Sequence, residues 1–354
     1  MLEKRKTPSR AMVWLAPILA VLLTMAVGAA VFSLLGYDGI EAAREIFVEP
    51  LIDVGGWQDL GVKAAPLIMI AVGLSIGFRA GVWNIGAEGQ YILGGLAGTA
   101  VALATWHLSG GVWVLPAMCL AGIVGGAAWA AIPAFLKTRF NVNEILSSLM
   151  LTYVAVQLLY YLMNGPWKDP EGFNFPQTRL FNDFQMLPYF SGVGYLNVPL
   201  SFVIALGVWF VMAKTLFGYQ VRVVGQAPLA ARYGGFSSRR TVWLTLLAGA
   251  GLAGLAGIFE AAGPFGQMVP QFPTGYGFTA IIVAFLGRLH PLGIVLAGII
   301  LAVTYVGGES AQASLGLPAS ATGVFQAMML FFLLATDILV AYRIRLGGRA
   351  GAVS

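Results

Sequence analysis

Hydrophobic residues in this chain form long continuous runs instead of alternating with polar ones. Most of these runs are about 20 residues long, the length of a helix that crosses roughly 30 Å of hydrocarbon, and they lack the alternation of a membrane strand. The pattern therefore predicts an all-α polytopic membrane helical bundle of about ten transmembrane helices. The predicted spans are Met12–Leu35, Val62–Phe78, Val82–Leu103, Val112–Leu136, Glu144–Met163, Leu200–Phe217, Thr241–Ala262, Gly277–Leu286, Leu292–Val306 and Ala321–Tyr342.

Gly277–Leu286 is the shortest predicted span, and its length suggests one half of a broken or re-entrant pair. Composition supports the membrane assignment, because 58% of residues are hydrophobic, 10% are charged and the mean hydropathy is +0.82. The 46 glycines fit helices whose backbones approach closely.

The distribution of basic residues predicts the orientation. When the chain is threaded alternately from an inside start, sixteen of the 20 Lys and Arg fall on the cytoplasmic side. The other four are Arg44, Lys63, Lys168 and Arg179. We therefore expect a cytoplasmic tail at 1–11, a transmembrane domain at 12–342 and a cytoplasmic tail at 343–354. Outer loops are expected at 36–60 and 164–198, and an inner loop at 219–240. Loop 164–198 is either a structured cap or a plain connector.

The sequence has no motif for catalysis or for a cofactor. It contains no G-x-x-x-x-G-K-[ST] loop, no H-E-x-x-H and no G-x-S-x-G, so no catalytic residue is assigned. Cys119 is alone, and His107 and His290 lie far apart, so neither a metal site nor a cofactor is expected. The basic residues do not form a patch interleaved with aromatics, which argues against a nucleic-acid partner.

One apolar segment, 81-GVWNIGAEGQYILGG-95, contains Asn84, Glu88 and Gln90. Because an unpaired carboxylate in lipid is costly, Glu88 should face the bundle interior, a water-filled path or a polar partner. The many glycines could break the helix here. The three side chains could line a translocation path, form a polar latch between helices that changes on gating, or form only a structural hydrogen-bond network.

A second segment, 219-YQVRVVGQAPLAARYGGFSSRR-240, lies on the predicted cytoplasmic side. A short helix could begin after Pro228, continue through Ala230 and Ala231 and end at Gly234-Gly235. Such a helix would be a rigid knob suited to a cleft on a partner. The alternative is a basic loop that only anchors the topology.

Four stretches resemble a known family: 78-FRAGVWNIGAEGQ-90, 141-NVNEILSSLMLTY-153, 224-VGQAPLAARYGG-235 and 275-GYGFTAIIVAFLGRLHPLGIV-295. The chain resembles permease subunits of bacterial ABC importers of the branched-chain amino acid and simple sugar superfamily, in its nucleoside or simple sugar uptake branch. The resemblance implies a multi-pass protein of the bacterial inner membrane, embedded in lipid. It also implies three protein partners: an ABC ATPase subunit, a second permease subunit in a homodimer or heterodimer, and an extracytoplasmic solute-binding protein.

The resemblance further identifies 225–235 as the coupling helix that fits the ATPase cleft, with contributions from Gly225, Pro228, Ala230, Ala231, Arg232 and Gly235. Ala227 departs from the Asn common before this proline in the family. Asn143 and Glu144 are ordinary helix-start residues by pattern, and the resemblance adds that this turn could touch the gate.

The expected function is inward translocation of a nucleoside or simple sugar by alternating access, driven by a separate ATPase. One alternative is an ion-coupled secondary transporter in which Glu88 or Glu260 carries a proton. Another is a membrane scaffold that transports nothing. Phe265 and Phe272 could offer a stacking face to a nucleoside, although nothing in the sequence selects them.

Overall fold

The computed structural model describes residues 2–4, 10–52, 55–108, 110–318 and 320–344. These residues are predominantly helical. The helices are α1 Arg10–Leu34, α2 Gly39–Phe47, α3 Glu49–Ile52, α4 Gly56–Arg79, α5 Ala87–Ala104, α6 Val114–Phe140, α7 Glu144–Asn164, α8 Asn197–Lys214, α9 Leu216–Gln226, α10 Pro228–Tyr233, α11 Ser238–Glu260, α12 Tyr276–Leu286, α13 Pro291–Leu315 and α14 Ser320–Ala341. A 3-10 turn spans Asp183–Gln185 and a π-helical turn Ala261–Phe265, and four short strands are β1 Leu2–Lys4, β2 Tyr189–Phe190, β3 Gly194–Tyr195 and β4 Tyr342–Ile344.

Each of the ten predicted apolar segments overlaps a helix, so the all-α polytopic bundle is confirmed. The bounds differ, because Val82–Leu103 begins before α5 and Leu200–Phe217 runs from α8 into α9. Six helices of the described chain are long and apolar enough to cross a membrane by length and composition: α4, α6, α7, α8, α11 with the π-helical turn, and α13. Shorter apolar stretches occupy 18–34, 276–286 and 323–336. At 1.5 Å per residue, the 11 residues of α12 span only about 16 Å, so this helix alone cannot cross the membrane.

The chain forms two compact units. The first comprises Met1–Gly56 and Val303–Ser354, and the second Trp57–Ala302. In the first unit α1 packs against α14, where Phe32 stacks on Phe325 at 5.2 Å between ring centroids and the Thr336 hydroxyl donates to the Ala16 carbonyl at 3.1 Å. Strand β1 pairs antiparallel with β4, which brings the two predicted tails together, while 345–354 of the predicted carboxyl-terminal tail lies outside the described residues.

The second unit is built around α4, α5, α6 and α11. The backbones of α5 and α11 touch, since a Cβ on Gly94 would lie 2.1 Å from the Gly254 Cα. Helices that approach this closely can associate in lipid through packing and hydrogen bonds alone. Much of α6, α7 and α8 is exposed and apolar, as expected of surfaces that face hydrocarbon.

The structure revises the predicted loops. Region 36–60 is largely helical, because Asp38 accepts from the amides of Ile40 and Glu41 and caps α2. Region 219–240 contains α9, α10 and the start of α11. Region 164–198, hereafter the cap loop, is structured, because buried Gln185 donates to the Ala102 carbonyl at 2.8 Å and β2 pairs with β3.

Candidate functional site

The helix predicted from Val82 begins five residues later, at Ala87. Residues 80–90, hereafter the polar break, start with a non-helical segment that runs beside the first turns of α7. The Ile85 amide donates to the Ser148 hydroxyl at 3.2 Å, and the Trp83 amide donates to a Glu144 carboxylate oxygen at 3.5 Å. Side chains of α7 thus accept hydrogen bonds from backbone amides that have no helical partner in this segment. Irregular backbone inside a membrane protein is tolerated only where its polar groups find such partners.

A reciprocal pair of amides joins the two sides of the polar break. Asn84 Nδ2 donates to Gln90 Oε1 at 2.8 Å, and Gln90 Nε2 donates back to Asn84 Oδ1 at 3.0 Å. Asn84 Oδ1 also accepts from the Gly86 amide at 3.1 Å. Both side chains are buried, so each supplies the partner that the other would otherwise lack. The predicted polar residues Asn84 and Gln90 therefore meet directly.

Glu88, which exposes 2% of its surface, caps the amino terminus of α12. Its two carboxylate oxygens accept from the Gly275 amide at 2.9 Å and the Gly277 amide at 2.6 Å. The first amides of a helix have no partner within the helix and carry partial positive charge, so a carboxylate there is stabilising. Two charge-assisted hydrogen bonds explain how this segment retains an ionisable residue in an apolar environment.

Gly277 allows this contact. A Cβ at Gly277 would lie 2.2 Å from the Glu88 backbone nitrogen, so the first turns of α5 and α12 touch through their backbones. The polar break therefore joins two helices that both begin within the second unit, one after residues 80–86 and the other after 266–275. Gly275 and Gly277 lie in the stretch 275–295 that resembles the family, but neither was predicted as a site residue, because one carboxylate and two glycines 187 and 189 positions away form no motif.

Buried aromatic rings lie one turn beyond Glu88. Tyr91 stacks on Phe272 with centroids 4.7 Å apart and planes 12° apart, and Tyr276 meets Tyr91 edge-on at 6.0 Å. Phe265 packs against Phe272 at 5.8 Å. Phe272 and Tyr91 are fully buried, so the Phe272 ring considered from the sequence is covered by the protein itself, whereas Phe265 is half-buried.

Asn143 and Glu144 make different contacts, although they are adjacent in sequence. Asn143 Oδ1 accepts from the Ile145 amide at 2.9 Å and caps α7, as its position predicts. Glu144 is buried and pairs with Lys137 of α6 at 2.6 Å. Together with its contact to Trp83, this ion pair connects α6, α7 and the polar break. Glu144 therefore belongs to the polar network, and Asn143, which is exposed, does not.

The segment 225–235, hereafter the knob, contains α10. Pro228 opens this helix and Gly234–Gly235 follows its end, with Gly235 at φ +80°, so the predicted helix is present. Leu229 and Tyr233 expose 75% and 94% of their surface, and Ala230 and Arg232 are also exposed. Ala231 is fully buried, so it supports the knob from inside and presents no surface to a partner.

The knob is attached to the polar break by backbone packing. Gly225 lies in α9, not α10, and a Cβ there would lie 2.0 Å from the Arg79 carbonyl oxygen, immediately before the break. Arg79 Nη2 donates to the Leu289 carbonyl at 2.7 Å, beyond the far end of α12. His290 follows Leu289, and its pKa is lowered below the ordinary value, mainly by partial burial and to a smaller extent by the charge of Arg79.

Comparison with protein families identifies the architecture. Residues 58–334 match the model of a family described as the branched-chain amino acid transport system permease component. This chain belongs to that permease family. The match includes the polar break, the knob and α12.

Several relatives align with the permease over nearly its whole length. A protein named glucose ABC transporter permease from Haloferax volcanii is 40% identical over 97% of this chain and 93% of its own. A guanosine ABC transporter permease protein of Bacillus subtilis is 28% identical over 90% of this chain and 92% of its own. A nucleoside ABC transporter permease protein of Lactococcus lactis is 25% identical over 90% of each.

Proposed function

We propose that this permease is the membrane subunit of an ATP-driven ABC importer that passes a simple sugar or a nucleoside into the cytoplasm. The relatives named for glucose, guanosine and nucleosides support a solute rich in hydroxyl groups. The observation that carries the proposal is the exposed knob, whose α9 end packs on the backbone next to the polar break. A separate ABC ATPase would bind Leu229, Arg232 and Tyr233 and move the break through Gly225.

In this mechanism the polar break is a latch. Glu88 joins α5 to α12, Asn84 and Gln90 hold the bend, and the ion pair between Glu144 and Lys137 ties it to α6 and α7. A pull on Arg79 would be transmitted to residues 80–86 and then to α12. Glu88 already accepts two backbone hydrogen bonds, which supports a capping role over proton carriage by a secondary transporter.

The proposed complex contains two permease chains, identical or different, with two ATPase subunits and an extracytoplasmic solute-binding protein. We propose about ten transmembrane helices in the bacterial inner membrane, with α12 as one half of a broken or re-entrant pair and with tails 1–11 and 343–354 in the cytoplasm around a permease domain at 12–342. In this orientation the knob faces the cytoplasm and the cap loop faces the binding protein.

Reconstitution tests the proposal. The permease is assembled in proteoliposomes with a candidate ABC ATPase and a candidate solute-binding protein, and ATP hydrolysis is measured with a panel of nucleosides and simple sugars. We expect one solute class to stimulate hydrolysis. Arg232→Glu should abolish the stimulation, whereas Arg139→Glu, an exposed charge at the end of α6 outside the knob, should preserve it. Uptake that follows a proton gradient and ignores ATP would show a secondary transporter instead.

A further inference from the structure

An apolar groove runs along the surface of the second unit between α5, α6 and α7. Its volume is about 350 Å³, and its lining is almost entirely hydrocarbon and aromatic. Leu96 and Ala100 of α5, Ala128 and Trp129 of α6, and Leu158 and Leu162 of α7 form its walls. Ala100 and Ala128 are exposed, so the groove is open toward the hydrocarbon.

A second cavity of about 270 Å³ continues the groove at the cap loop. Trp167 lines both cavities, and Leu103 lies one turn beyond Ala100 on α5, so the two spaces follow one another along this helix. The lining of the second cavity is polar on one part and apolar on the rest. His107, Lys168 and Arg179 line it together with Trp106.

The second cavity has a net positive charge. Arg179 lies over the Trp106 ring, 4.5 Å from its centroid, and its Nε is 3.6 Å from the one acidic group described in contact with it, Asp169 Oδ1. Lys168 has a neutral partner, the Asn174 side-chain oxygen. Lys168 and Arg179 are also two of the four basic residues that the charge distribution places away from the cytoplasm.

Hydrogen bonds hold the walls of this cavity in place. Trp106 Nε1 donates to the Leu180 carbonyl at 3.2 Å, and Asn182 Nδ2 donates to the Trp106 carbonyl at 3.0 Å. Gln185 fixes the last turn of α5 from the same side of the cap loop. The two basic side chains are therefore presented by a structured segment.

We propose that the groove and the basic cavity together form a binding site for one anionic phospholipid. Its phosphate would bind Lys168 and Arg179, and an acyl chain would lie between α5, α6 and α7. An open apolar channel that ends in a cationic cavity matches an amphiphile of this polarity, and guanidinium is well suited to phosphate. The site requires only that the second unit is embedded in a bilayer, so it does not depend on the ATPase or the transported solute.

Tryptophan quenching in nanodiscs tests the site. The full chain is placed in nanodiscs that contain equal mole fractions of phosphatidylglycerol or phosphatidylcholine with brominated acyl chains, and tryptophan emission is recorded. Bound lipid would place bromine beside Trp129 and Trp167. We expect stronger quenching by the anionic lipid, and Trp129→Phe should remove part of the difference.

Matched variants separate this site from general attraction of anionic lipid. Lys168→Gln combined with Arg179→Gln should abolish the excess quenching. Arg44→Gln, which removes an exposed charge from α2 in the other unit, should preserve it. Ala100→Leu and Ala128→Leu, which fill the groove from its open side, should each reduce the excess, and thermal melting would verify that every variant is folded.

Three results would overturn the proposal. Equal quenching by the two lipids would show no preference for the anionic headgroup. If the excess quenching by the anionic lipid persisted in the double variant, it would show nonspecific enrichment of that lipid around the protein. Full competition by soluble glycerol phosphate, with no effect of Ala100→Leu, would show a soluble-anion pocket without an acyl-chain site.

Discussion

The polar break and the knob are joined at Gly225, yet their side chains have opposite environments. Glu88 exposes 2% of its surface and finds both hydrogen-bond partners within the chain, whereas Tyr233 exposes 94% and Leu229 75%. The break is complete in one polypeptide, because burial in an apolar environment requires every polar group to be paired. The knob presents apolar side chains that no other described residue covers, as a docking element would. Substitutions in the break should therefore affect folding, and those of the exposed knob side chains only coupling.

The largest loss of stability is expected from Gly277→Val. Its side chain would occupy the position of the Glu88 backbone, which cannot rotate away, so we expect little folded protein in detergent. Gly207→Ala in α8 is the control, because a Cβ there meets nothing within 4 Å. Recovery and thermal melting measure both variants, and normal melting of Gly277→Val would refute the close contact of α5 with α12.

Replacing Glu88 by Leu should be the next most severe change. The Gly275 and Gly277 amides would lose their acceptor in a buried site, at a cost of about 1–3 kcal/mol for each group. Glu88→Gln retains one acceptor oxygen and should lose less. Thermal melting gives the order, and equal stability of the two variants would contradict the capping role.

A double-mutant cycle on Asn84 and Gln90 should give a moderate effect. Asn84→Leu alone would leave the Gln90 amide and the Gly86 N–H without a hydrogen-bond partner, at a cost of about 1–3 kcal/mol. Gln90→Leu alone would remove the partner of the Asn84 amide in the same way. The double variant should lose less stability than the sum of the two single losses, because it contains no side-chain amide whose partner has been removed. Additive losses in urea or thermal unfolding would show that the two side chains do not act as a pair.

The smallest effect on stability is expected in the knob. Leu229→Ala and Tyr233→Ala should change the free energy of unfolding by no more than about 0.5 kcal/mol, because both side chains are exposed. Solute-stimulated ATP hydrolysis should nevertheless fall sharply if these residues contact an ATPase. Ala231→Leu is the internal comparison, because Ala231 is fully buried and its enlargement should lower stability as well. Unchanged hydrolysis in both exposed variants would remove the knob from the coupling mechanism.

Hydropathy was sufficient to predict the helical bundle and the approximate positions of its apolar helices, and the proline and glycine pattern predicted the short helix at Pro228. These features depend on residues close in sequence: a run of apolar side chains, a proline at a first turn, a glycine after a last one. Amide-bearing Asn84 and Gln90 were also identified as a polar group, because they lie six positions apart in one segment.

The tertiary structure alone decided what each polar residue binds. Glu88 caps a helix that begins 188 positions later, Glu144 pairs with Lys137 across two helices, and Gly225 packs against the backbone of Arg79. In the same way, Ala231 and Arg232 are neighbours in sequence, but one is buried and the other exposed. Local sequence establishes that a buried charge needs a partner and a small residue needs a neighbour. Which partner and neighbour they find depends on how distant helices pack, and no local pattern encodes that arrangement.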